Sequence, residues 1–163
     1  MKYLTSTLTA MTLGAMTLAA AVALGTAPVL AMSTSSTPEA AQTDFYKDAK
    51  KLVDGKQYSK AIPLLKQSLA QQGETADTLN LLGFSYRKSG DQLTALDYYT
   101  KALAKEPKHL GANEYLGELY LEMKMLPKAE ERLAVLKDAC GSCEELDELT
   151  AAIDDYKKAN GAS

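Results

Sequence analysis

The sequence predicts an all-α fold, a solenoid of three helical hairpins closed by a C-terminal capping helix. Three observations carry that expectation. Ala61, Ala95 and Ala129 recur 34 residues apart, and each opens an amphipathic run: "KAIPLLKQSLAQ", "TALDYYTKALAK" and "KAEERLAVLKD". A period of that length marks a stack of like units, each too small to bury its apolar face alone. After the last copy, Leu146, Leu149, Ile153 and Tyr156 fall at i, i+3, i+7 and i+10, the apolar stripe of one more helix whose other side is charged. No segment carries the alternating pattern of a half-buried strand.

The elements follow in chain order. Lys2 is the only charged residue before Glu39, and an apolar run, "MTLGAMTLAAAVALGTAPVLA", fills most of the interval. Val29 and Ala31 place small side chains at −3 and −1 of a cut after Ala31, so residues 1–31 read as a secretory signal peptide. Many Ala, Thr and Gly residues, with Pro28, argue against a permanent span, so contact with a membrane is expected only if the segment stays uncleaved. The start resembles a Gram-negative periplasmic precursor and implies a periplasmic or secreted protein. Residues 32–41, "MSTSSTPEAA", are poor in apolar side chains and read as a disordered tether. The chain carries a net charge of −3, and loss of Lys2 makes it more acidic, which excludes the basic face that nucleic acid selects.

Residues 42–159 form the expected domain, with repeats over 42–75, 76–109 and 110–143 and a capping helix over 143–159. In the middle copy, Leu79, Leu82-Gly83, Tyr86, Ala95, Tyr99, Ala102 and Pro107 stand at characteristic spacing. Small residues sit where two antiparallel helices must approach, large ones fill the gap, and Pro107 cannot continue a helix. This pattern resembles the tetratricopeptide repeat. The first copy keeps Phe45, Leu52, Ala61 and Leu65, but has Asp48-Ala49 for Leu-Gly and Gly73 for Pro. The third keeps Leu116-Gly117, Tyr120, Ala129 and Leu133, with Asn113 for the first aromatic and Leu136 for the second small residue.

Both cysteines, Cys140 and Cys143, lie in "DACGSCEEL" at the joint between the last repeat and its cap. In an oxidising compartment they are expected to pair and fix the cap's angle. Ser142 and Glu145 have capping-box spacing, which would put Cys143 at the first helical position. Two alternatives stay open: a thiol-redox pair or half of a metal site. The first cysteine ends a helix, Glu144 and Glu145 disfavour a thiolate, and no βαβ pattern surrounds the pair. The sole histidine, His109, reads as a polar loop residue, and Met123 and Met125 as a helix end and a turn filler. No metal and no cofactor are expected. The motifs of common hydrolases, phosphate-binding loops and dinucleotide sites are absent, so no enzyme and no small-molecule substrate are indicated.

The resemblance implies a protein-binding groove lined by the first helix of each pair. Its positions hold Tyr46, Lys50 and Val53, then Asn80, Phe84, Arg87 and Lys88, then Glu114, Glu118, Leu121 and Glu122. Read this way, the groove is basic and aromatic on the second pair and acidic along the third, with Tyr46, Phe84 and Leu121 as apolar contacts for a peptide of matching charge. The Lys/Asn/Asn/Lys/Arg clamp of chaperone-tail receptors would fall on Tyr46, Lys50, Leu81, Gly111 and Tyr115, and only Lys50 is basic. The implied role is an adaptor for a peptide or protein partner in the cell envelope. The alternative role, thiol or metal handling, would use Cys140 and Cys143.

Overall fold

Charged and hydroxyl side chains set where the first helices begin. Asp44, Thr75 and Asp91 each accept a hydrogen bond from the backbone N–H three residues on, at 3.0, 3.2 and 3.0 Å, which satisfies a donor the helix leaves open. The computed structural model describes residues 44–161, so the expected signal peptide and tether lie outside the described residues. The elements are α1 (Phe45–Asp54), α2 (Tyr58–Gln72), α3 (Ala76–Lys88), α4 (Gln92–Lys105), α5 (Leu110–Glu122), α6 (Leu126–Cys140) and α7 (Glu144–Asn160). Among the described residues there is no strand, in keeping with the all-α class the sequence predicts.

The helices pair as α1/α2, α3/α4 and α5/α6, each pair packs on the next, and α7 lies against both α5 and α6. The repeat-defining positions make the core: Leu79, Leu82, Ala95, Tyr99 and Ala102 are fully buried, as are Ala61 and Leu65 one period earlier and Ala129 and Leu136 one period later. Gly83 shows why a side chain is excluded at a close crossing. A Cβ added there would lie 2.6 Å from the ring of Tyr99, closer than packed carbons tolerate.

The turn inside each hairpin is the same hydrogen-bonded motif, written three times. Lys56, Gly90 and Lys124 stand 34 residues apart, all with left-handed backbone (φ 56°, 89° and 60°). Each donates to the carbonyl three residues back, and the next residue donates five back: Gln57 to Leu52, Asp91 to Tyr86, Met125 to Tyr120. This pair of bonds is the Schellman ending of a helix, for which glycine suits the left-handed position. Only the middle copy has it. Lys124→Gly is therefore expected to raise the unfolding free energy by about 0.5–1 kcal/mol, the relief of left-handed strain less the added backbone entropy of glycine. A melt in which this variant is less stable than the parent would refute that account.

One local expectation is corrected. Ser142 and Glu145 do not form a capping box. Cys143 itself is the N-cap of α7, in extended conformation (φ −158°, ψ 163°), and makes no side-chain cap bond. Gly141, at φ 65°, reverses the chain so sharply that the Ser142 N–H bonds the Cys140 carbonyl at 2.6 Å. Ser142 is thus taken up by the turn, one residue too early to cap.

Candidate functional site

The face carried by α1, α3 and α5 holds a depression of 360 Å³ whose floor and walls come from four helices. Val53, Leu81 and Phe84 give it apolar surface, Tyr58 and Tyr115 wall it, Asn80 lies at its base, and Lys50, Asp54 and Lys56 stand at the rim. Rings run across it in a row. Tyr58 meets Phe84 edge-on at 5.8 Å between centroids, and Phe84 meets Tyr115 at 4.7 Å. Such rings present broad, stiff contact area at little entropic cost.

Behind the row sits Arg87, its side chain only 2% exposed. The guanidinium faces the rings of Phe84 and Tyr115, each 5.7 Å away. It is ion-paired to Glu118 and, at 3.1 Å, to Glu122, while Gln92 donates to the other oxygen of Glu122 at 3.1 Å. A guanidinium that must be desolvated needs just such planar acceptors. Lys88, one residue on, is exposed and holds its ammonium 5.4 Å over Phe84.

Several predicted groove residues therefore stand elsewhere than expected. Lys50, Val53, Asn80 and Phe84 do line the depression. Tyr46 instead lines a separate hollow of 180 Å³ with Gln72, Thr75, Asp77 and Thr78, and burial, then the Asp77 charge, raises its hydroxyl pKa. Arg87 is not a free cation, because two carboxylates of α5 occupy it. Leu121 is a core residue, packed with Ala129, Leu136, Leu146, Leu149 and Ile153. The open acidic line along α5 is corrected as well. Glu118 and Glu122 are bound by Arg87, and Glu114 is buried at 2% exposure. Its carboxyl is pushed up to about 9, first by burial, then by a hydrogen bond with Glu148 and the charges of Glu148, Glu118 and Glu145. At neutral pH Glu114 is thus a protonated donor to α7. Burial, and then Glu114, also hold the Tyr115 hydroxyl up at about 12.

The sequence reading passed over other contributors. Lys56 and Tyr58 belong to the hairpin turn and the second helix respectively, positions outside the groove pattern. His109 is a cap. Its Nδ1 accepts the Ala112 N–H at 3.0 Å, so the ring proton is on Nε2, directed at Asp77 Oδ1, also at 3.0 Å. Asn113 then bonds the carbonyls of Pro107 and His109, each at 3.0 Å, sealing the joint between hairpins. His109→Ala is expected to cost about 1 kcal/mol in thermal unfolding, and His109→Asn to restore most of it, since asparagine caps equally well.

At the last joint, the sulfurs of Cys140 and Cys143 lie within bonding distance, with Cα atoms 6.0 Å apart. Among the described residues no group of three or more His, Cys, Asp or Glu side chains is placed to hold a metal ion.

Residues 86–153 match the family model described as tetratricopeptide repeat. That stretch carries the tetratricopeptide repeat. No curated protein matches the sequence. Among solved structures, the chain is similar to the Sgt2 TPR domain from Aspergillus fumigatus (23% identity, TM-score 0.63, covering 72% of this chain and 80% of that one). It is similar also to a tetratricopeptide repeat protein from Parabacteroides merdae (16%, 0.61, 73% and 46%). A third is the type III secretion chaperone SycD of Yersinia enterocolitica, solved with a peptide of the translocator YopD (17%, 0.60, 71% and 88%). At these identities the likeness is one of fold.

Proposed function

We propose that this tetratricopeptide-repeat protein is a non-catalytic adaptor of the cell envelope, exported by its N-terminal signal, that holds a peptide or protein segment on the face of α1, α3 and α5. The observation that carries the reading is the aromatic-walled depression across those helices, with its exposed lysines and buried acceptor. A concave apolar floor with a few convergent polar groups is the usual form of a recognition site. The similar SycD chaperone was solved holding a peptide, which supports a peptide as occupant here. The Cys140–Cys143 pair is a staple that sets α7 against α5 and α6.

A photo-reactive residue placed at Lys88 should give discrete adducts in whole cells, while one at Leu93, the exposed apolar residue of α4, should not. Equal labelling from both positions would overturn the groove assignment. Intact mass of the exported protein should show a start at Met32 and no free thiol. Cys140→Ser with Cys143→Ser should lose at most about 2 kcal/mol, as expected for so short a loop, and keep partner binding. Loss of function at unchanged stability would instead make the pair a working thiol site.

A further inference from the structure

Resting on the Cys140–Cys143 staple, we infer that α7 is an exchangeable helix gated by that bond. Once the bond is reduced, α7 leaves its own α5 and α6 and docks on those of a second copy, giving a domain-swapped dimer. The seat it leaves is specific. Leu146, Leu149 and Ile153 of α7 pack with Leu121, Ala129 and Leu136. Leu149 fills the room left by Gly117, and Lys157 pairs with Glu130 at 2.7 Å. A second copy brings the same helix, so each of these contacts is remade across chains, which makes exchange a low-cost route to a dimer.

Three features of the joint favour exchange. Only residues 141–143 connect the two helices, and short hinge loops under strain invite swapping. Gly141 stands at φ 65°, ψ −36°, with the Ser142 N–H bonded to the Cys140 carbonyl two residues back. That is a γ-turn of positive φ, the rarer and more strained kind. Cys143 heads α7 in extended conformation and makes no side-chain cap bond, so no cap has to be broken to move the helix.

The disulfide opposes all of this. It holds its two Cα atoms within about 7 Å, and here they lie 6.0 Å apart. Straightened, the same three-residue step spans about 10 Å. The oxidised hinge therefore cannot extend far enough to deliver α7 to another chain. Reduction by a dithiol breaks the Sγ–Sγ bond. Two electrons and two protons pass to Cys140 and Cys143, and the dithiol leaves as its own disulfide. On the adaptor reading, the dimer presents two α1/α3/α5 faces, so reduction turns a one-site adaptor into a two-site one.

The test is light scattering after size exclusion on the full mature chain, oxidised, held in dithiothreitol, and as Cys140→Ser with Cys143→Ser. The oxidised chain should keep monomer mass. The other two should show a doubled mass, in a fraction that rises with protein concentration. Cross-chain bonding separates exchange from surface contact. In the double serine background, one chain carries Glu114→Cys and a second Glu148→Cys, positions that meet across α5 and α7. Mixed under reduction and then oxidised, they should form a covalent heterodimer that neither forms alone. Inserting Gly-Ser-Gly between Gly141 and Ser142 of the double serine chain relieves the turn and should restore monomer mass. A reduced chain that stays monomeric, or a dimer with no cross-chain bond that ignores the insertion, would overturn the exchange and leave the staple and the groove reading standing. Free thiols in the oxidised preparation would overturn the staple, and the gate with it.

Discussion

Arg87→Ala is expected to destabilise the folded chain by about 2–4 kcal/mol, the largest loss for any single polar substitution on this face. Breaking a buried ion pair by removing one partner costs about 3–5 kcal/mol, because the other charge is stranded. Here the stranded groups are two carboxylates one helical turn apart. Their side chains are 28% and 41% exposed, so water recovers part of the loss. The alanine also leaves a void against the rings of Phe84 and Tyr115. Lysine is a poor replacement, since a point charge cannot satisfy two carboxylates while lying flat between two rings. Arg87→Met combined with Glu118→Gln and Glu122→Gln fills the space and strands no charge, so it should recover most of the deficit. Denaturant melts decide the matter. A single alanine variant within about 0.5 kcal/mol of the parent, or a triple variant no better than it, would show that the cluster is not what ties α3 to α5.

The difference between the expected groove and the observed one traces to what a helical period can encode. Periodicity gives the face of a helix, and Lys50, Asn80 and Phe84, placed by the resemblance on the first helices, line one depression. It says nothing of which charges on facing helices will meet. Arg87 and Glu118 are 31 residues apart, nearly one repeat, so they occupy almost the same place on successive hairpins. That near-coincidence was a usable signal: opposite charges one repeat apart neutralise each other, and a neutralised pair is not a polarised groove. The repeat pattern was legible because its small residues answer to close approach, as Gly83 does against Tyr99. Gly117 carries the same signature for a different reason. A Cβ there would meet Leu149 of α7 at 2.6 Å, while Leu133, the repeat equivalent of Tyr99, is only half-buried. A leucine does not fill the space a tyrosine fills, and the capping helix closes in. Nothing in the third repeat alone announces that the cap will press on α5. The burial of Glu114 and Leu121 therefore could not be read from their spacing.

That closeness of α7 leads to the second large effect, which has the opposite sign. Glu114 holds a proton in the folded chain up to about pH 9, while an ordinary glutamate gives it up near 4.5. Between those values the folded state binds more protons than the unfolded one, so stability falls as pH rises. The contribution is fully present below pH 4.5 and is lost as pH rises through 9. The carboxyls of Glu148, Glu145 and Glu118 all bear on the site. Arg87 cannot relieve it, being committed to Glu118 and Glu122, and Arg132 of α6 is engaged by Asn113, at 3.4 Å, and Glu131, at 3.9 Å. Glu114→Gln keeps the shape and keeps a donor toward Glu148, but has no proton to lose. The variant should match the parent near pH 4.5 and exceed it increasingly above that, reaching about 1–3 kcal/mol by pH 8, the scale of relieving one ill-satisfied buried polar group. The informative quantity is the difference in melting temperature between variant and parent at pH 5, 6.5 and 8, since other titrations cancel in it. A difference that grows with pH places the shared proton between α5 and α7. If it stays flat, or if the glutamine variant is the less stable at pH 8, then Glu114 is ionised in the folded chain and the cap is held despite it.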